Sequence, residues 1–269
     1  MSERVMVSTQ DGVADVRLSR PDKLNALDAA MFEGLIETGK TLAAERSLRA
    51  VVLSGEGRGF CAGLDFGSFM NMAARREAEQ SHSLLSRDPG MPANRAQQAG
   101  YVWSALPVPV IAAGHGVAFG GGLQIALAAD IRFVAPDAQL SVMEIKWGLV
   151  PDMTGTQTLR HLVRLDVAKE LTFTGRVISG TEAAALGLAT HVSDKPRDAA
   201  LALAREIAAK SPDAVRAAKQ LLNRTRELSL EEGLRLEEAT QLGLIGKANQ
   251  MEAVQANMQK RAPQFRDPE

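Results

Sequence analysis

Two glycine-rich segments have the residue types and spacing that point to chemistry. The first is 58–65 (RGFCAGLD), and the second is 120–124 (GGGLQ) at the start of an apolar helical pattern. Three glycines that enter a helix allow a ligand close to the backbone and leave free N–H groups at the positive end of the helix dipole. Such N–H groups can hold a phosphate or a developing oxyanion. The alternative is a tight turn against a neighbouring helix, and neither segment fits GxGxxG or a P-loop.

The elements that must position these segments alternate between strand and helix. Residues 4–18 predict a β-hairpin around an Asp-Gly turn, and 28–46 predict a helix with Asp28 as its N-cap. A strand is predicted from Ala50 to Leu53. From residue 108 the pattern predicts a strand, a glycine turn, an apolar helix and a second strand, followed by short helices at 153–164, 167–173 and 181–187.

The remaining segments differ in regularity. Residues 68–105 are predicted to be irregular, with a mobile stretch at 86–95. After Pro196 the chain is predicted to be helical at 198–210, 213–227, 230–245 and 247–261. We therefore predict an α/β core over residues 1–195 and a helical C-terminal segment over 196–269 that serves oligomerisation and covers the pocket.

Composition limits the classes of function. The 269 residues carry a formal net charge of −1, and the Lys and Arg residues are interleaved with Asp and Glu, so no nucleic-acid partner is expected. A single cysteine, Cys61, excludes an intramolecular disulfide and suits a reducing compartment. No signal, transit or membrane-spanning segment is recognisable, so we expect a cytoplasmic protein without a membrane partner.

Several motifs together resemble the enoyl-CoA hydratase/isomerase (crotonase) family. The segments are 20–27 (RPDKLNAL), 60–65 (FCAGLD), 109–116 (PVIAAGHG), 118–122 (AFGGG) and 129–132 (ADIR), in the family's order and spacing. The resemblance implies an α/β fold, a crotonase-like spiral of ββα units with a C-terminal helical tail, assembled as a homotrimer or a dimer of trimers. It also implies an acyl-CoA thioester substrate and no cofactor, since coenzyme A is part of the substrate.

The same resemblance implies roles for individual residues. The backbone N–H groups of Leu64 and Gly121 would form an oxyanion hole for the thioester carbonyl, and both positions lie in the glycine-rich segments. The Ala62 carbonyl would face the adenine, and Lys23 or Lys260 would contact the phosphates of CoA. For the two lysines the alternative is an ordinary solvated surface side chain.

The acid–base positions distinguish members of the family. Hydratases of this family carry two glutamates, at the positions held here by Gln124 and Glu144. A neutral amide orients water or substrate but cannot accept a proton, so we expect impaired hydratase activity. Asp152 stands eight residues after Glu144, which is similar to the spacing in the family's dienoyl-CoA isomerases, although these carry a third carboxylate at the position of Gln124.

The two carboxylates support a specific hypothesis. Glu144 and Asp152 are separated by a turn with glycine and proline, so both can face one cavity, and one pKa should then rise. The leading hypothesis is double-bond isomerisation by Glu144 with help from Asp152; the alternatives are a specialised hydratase and a catalytically silent acyl-CoA-binding protein. Glu144 could instead be a helix-start or loop acid, and Asp152 a helix N-cap.

The remaining candidate side chains carry no recognisable chemistry. The histidines at 82, 115, 161 and 191 show no metal-ligand spacing, so no metal site is predicted. Cys61 has no evident base beside it and is expected to be a small buried side chain.

Overall fold

The computed structural model describes residues 3–65, 67 and 84–268. Its strands are β1 (Val5–Gln10), β2 (Val13–Leu18), β3 (Ala50–Gly55), β4 (Val110–Gly114), β5 (Val117–Phe119), β6 (Ile131–Val134), β7 (Gln139–Ser141), β8 (Ile178–Ser179) and β9 (His191–Val192). Its helices are α1 (Ala29–Ala44), α2 (Arg95–Ala105), α3 (Gly121–Leu127), α4 (Gly155–Leu162), α5 (Leu165–Thr174), α6 (Gly180–Leu186), α7 (Pro196–Ala208), α8 (Pro212–Thr225), α9 (Leu230–Leu244) and α10 (Ala248–Met258). Short 3₁₀ helices cover Pro21–Lys23 and Met143–Trp147.

The strands form two sheets. The larger has the order β1-β2-β3-β4-β6-β9 and the smaller the order β5-β7-β8. In the larger sheet β1 and β2 are antiparallel and the other neighbours are parallel. The chain passes from β4 in the larger sheet to β5 in the smaller one and returns through α3 to β6. This passage repeats as β6 and β7, which confirms the predicted spiral of ββα units.

Local signals account for the N-terminal elements. Asp11 and Gly12 both have positive φ, and they join β1 to β2 in register with Gln10 opposite Val13. Two-residue hairpin turns require such values because their twist matches that of the flanking strands. Asp28 caps α1 by accepting a hydrogen bond from the Met31 N–H at 2.8 Å. The predicted hairpin and the predicted cap are both confirmed.

The central strands of the larger sheet, β2, β3 and β4, are buried on both faces. Side chains of a strand alternate between the faces, so Val51 and Leu53 of β3 join the main apolar cluster. Val52 faces the other way and packs with Ala200 and Ala204 of α7. The first helix after residue 195 therefore packs on the sheet itself, and the division of the chain at that residue stays a prediction.

One sequence-based prediction is wrong in part. Residues 68–105 were expected to be irregular, but α2 occupies 95–105. Asn94 and Gln97 form a capping box, in which each side chain accepts a hydrogen bond from the other residue's backbone N–H. Ala96, Ala99 and Trp103 lie at helical spacing and are buried. The stretch predicted to be mobile, 86–95, includes the start of this helix, and residues 66 and 68–83 lie outside the described residues.

The C-terminal helices follow the predicted order, with ends that differ by a few residues. Helix α8 begins at Pro212, as the Ser-Pro signal indicates. Lys219 of α8 is buried and anchors the helix to the core, because its ammonium donates to Asp130 Oδ2 at 2.8 Å and to the Val108 carbonyl at 2.9 Å. Among the described residues, no helix combines the length and the hydropathy needed to cross a bilayer.

Candidate active site

The first glycine-rich segment runs between β5 and the loop that precedes α1. The Leu27 N–H donates to the Gly63 carbonyl at 2.7 Å, and the Asp65 N–H donates to the Leu27 carbonyl at 3.1 Å. Leu27 and Leu64 therefore form a parallel bridge. In such a bridge one residue bonds to both chain neighbours of its partner, and the partner's own N–H points away. Here Leu27 bonds to Gly63 and Asp65, the two neighbours of Leu64. The Leu64 N–H thus faces away from Leu27, and it donates to no acceptor among the described residues.

The second glycine-rich segment contacts the first. Helix α3 begins at Gly121, after Gly120 with φ +51°. A Cβ on Gly63 would lie 2.6 Å from the Phe119 carbonyl oxygen and 3.6 Å from the Gly121 nitrogen. A Cβ on Gly122 would lie 2.4 Å from the Cys61 carbonyl oxygen. Gly63 and Gly122 are therefore needed for close packing between the two segments, and that packing brings the turn before Leu64 to the start of α3.

The Gly121 N–H is available at this contact. It is the first N–H of α3, and the intrahelical bonds begin with Gln124, whose N–H donates to the Gly120 carbonyl at 3.0 Å. Among the described residues Gly121 has no acceptor for its own N–H. An oxyanion hole requires two such free N–H groups that converge on one point. The assignment of Leu64 and Gly121 to that role stays a prediction.

Asn25 is a site-supporting residue that the sequence analysis missed. Its buried amide nitrogen donates to the carbonyls of Glu56 and Gly59 at 2.9 and 2.8 Å, and its Oδ1 accepts from the Arg20 N–H. Its φ of +56° is one that asparagine tolerates better than most residues. Arg20 also forms an ion pair with Asp65 at 2.6 Å. These bonds hold both ends of segment 58–65. The sequence signal for this role of Asn25 is an asparagine that follows a proline-containing turn.

Glu144 is a buried carboxylate beside the start of α3. The residue is 9% exposed, and a Cβ on Gly120 would lie 3.2 Å from its Oε1. Oε1 accepts a hydrogen bond from Gln124 Nε2 at 2.5 Å, whereas Oε2 has no partner among the described residues. Burial raises the pKa of this carboxyl, its own backbone N–H and Gln124 lower it, and the Asp152 charge raises it. Glu144 lies in the first turn of the Met143–Trp147 helix, so the helix-start alternative describes its position, and its catalytic role stays a prediction.

Asp152 lies on the turn before α4. The alternative that it caps this helix is wrong, because α4 begins at Gly155 and Thr154 occupies the N-cap position without a side-chain cap bond. Although the Asp152 side chain is exposed, partial desolvation raises its pKa. Its charge also contributes to the raised pKa of Glu144. The Asp152 charge is the smallest of the influences on the Glu144 pKa, and the expectation that both carboxylates face one cavity stays a prediction.

The residues predicted to contact CoA lie at or near the surface. Ala62 is half-buried, and its carbonyl accepts no hydrogen bond from the described residues. Lys23 and Lys260 are exposed and pair with no carboxylate in the described part of the chain. The roles of Ala62, Lys23 and Lys260 toward CoA stay predictions.

The cysteine and the histidines have ordinary structural surroundings. Cys61 is buried and donates to the Asn25 carbonyl at 3.1 Å, and burial raises its pKa to about 12. His115 bonds to the Gly57 carbonyl, and His191 contacts the Phe133 ring. In the described ranges no three His, Cys, Asp or Glu side chains are grouped as a metal site, and His82 lies outside those ranges.

The two sheets, the spiral connections and the paired glycine turns define a crotonase fold. A solved structure of an enoyl-CoA hydratase from Bacillus anthracis superposes on this chain with a TM-score of 0.86. Its sequence is 31% identical to this one, and the alignment covers 97% of this chain and 98% of that chain. The fold expected from the sequence is therefore confirmed.

Sequence comparison gives the family. The family model for enoyl-CoA hydratase/isomerase matches residues 8–268, and the chain belongs to this family. Mouse mitochondrial methylglutaconyl-CoA hydratase is 33% identical, with 95% of this chain and 80% of the relative covered. The peroxisomal Delta(3,5)-Delta(2,4)-dienoyl-CoA isomerase of Arabidopsis thaliana is 32% identical, with 98% of this chain and 96% of the relative covered. The family acts on acyl-CoA thioesters, and similar relatives include a hydratase and an isomerase.

Proposed function

We propose that the protein moves a double bond of an enoyl- or dienoyl-CoA thioester by proton transfer. The observation that carries this proposal is the difference between Glu144 and Gln124. Oε2 of Glu144 is a buried carboxylate oxygen with no hydrogen-bond partner among the described residues. Gln124 is neutral, and its amide oxygen already accepts two backbone N–H bonds. One of the two family positions can take a proton and the other cannot.

The reaction on a 3-enoyl thioester needs only one carboxylate. Glu144 removes a proton from C2, and the electron pair of that C–H bond moves into the conjugated system, with negative charge on the thioester oxygen. The N–H groups of Leu64 and Gly121 donate to this oxygen and stabilise the charge. Glu144 then returns a proton to C4, which yields the 2-enoyl isomer without change of composition. A raised pKa makes this carboxylate a stronger base near neutral pH.

On a dienoyl thioester the conjugated chain is longer, and a second carboxyl is useful at its far end. Asp152 fills this role in the proposal. Its charge acts on Glu144, so protonation of one carboxyl favours ionisation of the other. One group then serves as the base while the other serves as the acid.

The second candidate is a specialised enoyl-CoA hydratase, which the named hydratases among the similar proteins favour. In that mechanism Gln124 would hold the water and Glu144 would make both proton transfers. One hydrogen of Gln124 Nε2 is donated to Glu144, so one remains to bind a water oxygen. A donor of this kind positions water but does not deprotonate it, which favours isomerisation over hydration.

Product analysis tests the proposal. The protein is incubated with 2-enoyl-, 3-enoyl- and dienoyl-CoA, and the products are separated and weighed by mass spectrometry. Isomerisation leaves the mass unchanged and moves the double bond, whereas hydration adds the mass of one water. Rapid hydration of 2-enoyl-CoA without any bond shift would establish the hydratase alternative. Binding of the thioesters without turnover would establish a silent acyl-CoA-binding protein.

We also propose that the chain assembles as a homotrimer or as a pair of trimers. Helix α9 buries none of its residues, and Leu230 and Leu242 are 80% and 65% exposed. Apolar side chains exposed along one helix favour association. Sedimentation should therefore show a closed oligomer, and a monomer at micromolar concentration would contradict the assembly.

A further inference from the structure

Gln124 connects three segments of the site. It lies on α3, and the residue is 2% exposed. Its Oε1 accepts hydrogen bonds from the backbone N–H groups of Met153 and Gly155, each at 2.8 Å. Its Nε2 donates to Oε1 of Glu144 at 2.5 Å. A buried amide that is bonded at both ends restrains all the groups it joins, because each broken bond would leave a buried polar atom unpaired.

The turn that Gln124 holds is strained. Thr154 has φ +76°, a left-handed conformation that costs of order 1 kcal/mol or more for a residue with a side chain. Such strain persists only when the surroundings enforce it, and the two bonds to Gln124 flank Thr154 on either side. A Cβ on Gly155 would lie 2.6 Å from Gln124 Oε1, so glycine is needed for this approach. Asp152 lies on the same turn, one residue before Met153, so its backbone position depends on the same bonds.

The same amide distinguishes the two oxygens of Glu144. Oε1 is held by Gln124, whereas Oε2 is buried without a partner among the described residues. We propose that Gln124 is a positioning residue, which binds Oε1 of Glu144 and the 153–155 turn and so leaves Oε2 as the oxygen that moves the proton. This inference rests on the proposed function for the proton transfer, but the network of bonds can be tested without turnover.

The charges around Glu144 make a titration interpretable. Its own 3₁₀ helix carries Lys146, and the packed helix α5 carries Asp166, Lys169 and Glu170, all of them exposed. Within the described residues, Asp152 is the charged group that acts on the carboxyl of Glu144. A change at Gln124 therefore acts on Glu144 directly, through the lost hydrogen bond, and indirectly, through any movement of Asp152.

The main test is Gln124→Met, which keeps the length and volume of the side chain but removes its hydrogen bonds. Infrared titration follows the protonated carboxyl band of Glu144, which is identified by its loss in Glu144→Gln. The midpoint should rise by roughly one to two pH units, because a hydrogen bond to the ionised form has been removed. The kcat for isomerisation should fall about 10- to 100-fold through misplacement, with little change in KM.

A second variant separates the two ends of the amide. Gln124→Glu retains acceptors for the Met153 and Gly155 N–H groups, but when ionised it cannot donate to Glu144. The introduced carboxylate also repels Glu144, so the Glu144 midpoint should rise by more than in Gln124→Met, and the Tm should stay near that of the wild type only at acid pH, where the introduced carboxyl is protonated. The infrared band of Glu144 is assigned by its loss in the double variant Gln124→Glu/Glu144→Gln. The single variant Gln124→Glu tests the inference if Gln124→Met does not fold.

Gln98→Met is the matched control. Gln98 is a fully buried glutamine on α2 that bonds to Asp88 and to the Ala93 carbonyl. This variant should lose stability but keep the Glu144 midpoint of the wild type. The inference is overturned if Gln124→Met leaves both the midpoint and kcat unchanged, or if Gln98→Met shifts the midpoint equally. If the wild-type protein isomerises no substrate, only the proposed function is contradicted. The infrared midpoint of Glu144 would still test the role of Gln124, because it is measured without turnover.

Discussion

The candidate site has two halves, one formed by backbone groups and the other by side chains. The backbone half consists of residues 61–64 and 119–122, where the requirement is space. A Cβ at Gly63 or Gly122 would come within 2.6 or 2.4 Å of a carbonyl oxygen of the opposite turn. The carboxylate half consists of Gln124, Glu144 and Asp152, where the requirement is the correct protonation state and the hydrogen bonds that support it.

This difference predicts how each half fails. Backbone N–H groups do not titrate in the working range of pH, so the backbone half should be indifferent to acidity and intolerant of added atoms. The carboxylate half should fold normally with substitutions of similar shape. Its activity should fall when such a substitution removes a titrating proton or a hydrogen bond. Substitutions that alter one property at a time can separate the two halves.

The largest effect is expected from Glu144→Gln. This change keeps the shape and an acceptor for Gln124, but it removes the only carboxylate that the mechanism uses as a base. Turnover should fall by about 10²- to 10⁴-fold or more, while binding of a CoA thioester stays nearly intact. Steady-state kinetics and calorimetric titration measure the two quantities. Glu206→Gln, at an exposed position on α7, is the control and should retain wild-type kcat.

The backbone half is tested by Gly121→Pro compared with Gly121→Ala. Both add a Cβ, which would lie 2.8 Å from the flexible Met153 sulfur, but only proline removes the N–H. Proline at the first position of a helix is otherwise well tolerated. The proline variant should lose about 10²- to 10³-fold in turnover relative to the alanine variant. Equal losses in both variants would show that this N–H donates nothing to the reaction.

Asp152→Asn should have a smaller effect that depends on the substrate. Its charge supports Glu144 from a distance, so turnover of a 3-enoyl thioester should fall by no more than about 10-fold, below the usual contribution of a direct acid–base group. The loss should be larger for a dienoyl thioester, in which Asp152 is proposed to serve the far carbon. If both substrates are affected equally, Asp152 has no separate role in the longer conjugated chain.

The smallest effect concerns stability. The pKa of Glu144 is raised by burial, so the folded protein holds this proton more tightly than the unfolded chain does. The resulting stability is present below the unfolded pKa of about 4.3 and is lost as the pH rises through the folded value. Glu144→Gln removes this titration and should raise Tm by a few degrees at neutral pH. Thermal melts across pH should show the gain disappearing in acid, and a gain independent of pH would contradict it.

Local patterns were sufficient for most of the fold. The Asp-Gly hairpin, the Asp28 cap and the Pro212 helix start depend on residues within a few positions of each other, and all three are confirmed. Helix α2 also has local signals, a capping box and buried residues at helical spacing, but the polar, proline-containing segment before it obscures them.

The family and the candidate positions follow from the amino-acid sequence, because paired glycine turns and spaced carboxylates are linear patterns. The contacts that those positions make with one another depend on tertiary packing. Gln124, Glu144 and the 153–155 turn meet through bonds between separate segments, and Asp152 is not a helix cap because the helix begins three residues later. No periodicity records which buried donor meets which acceptor, since that is settled when the segments pack and each polar atom must find a partner.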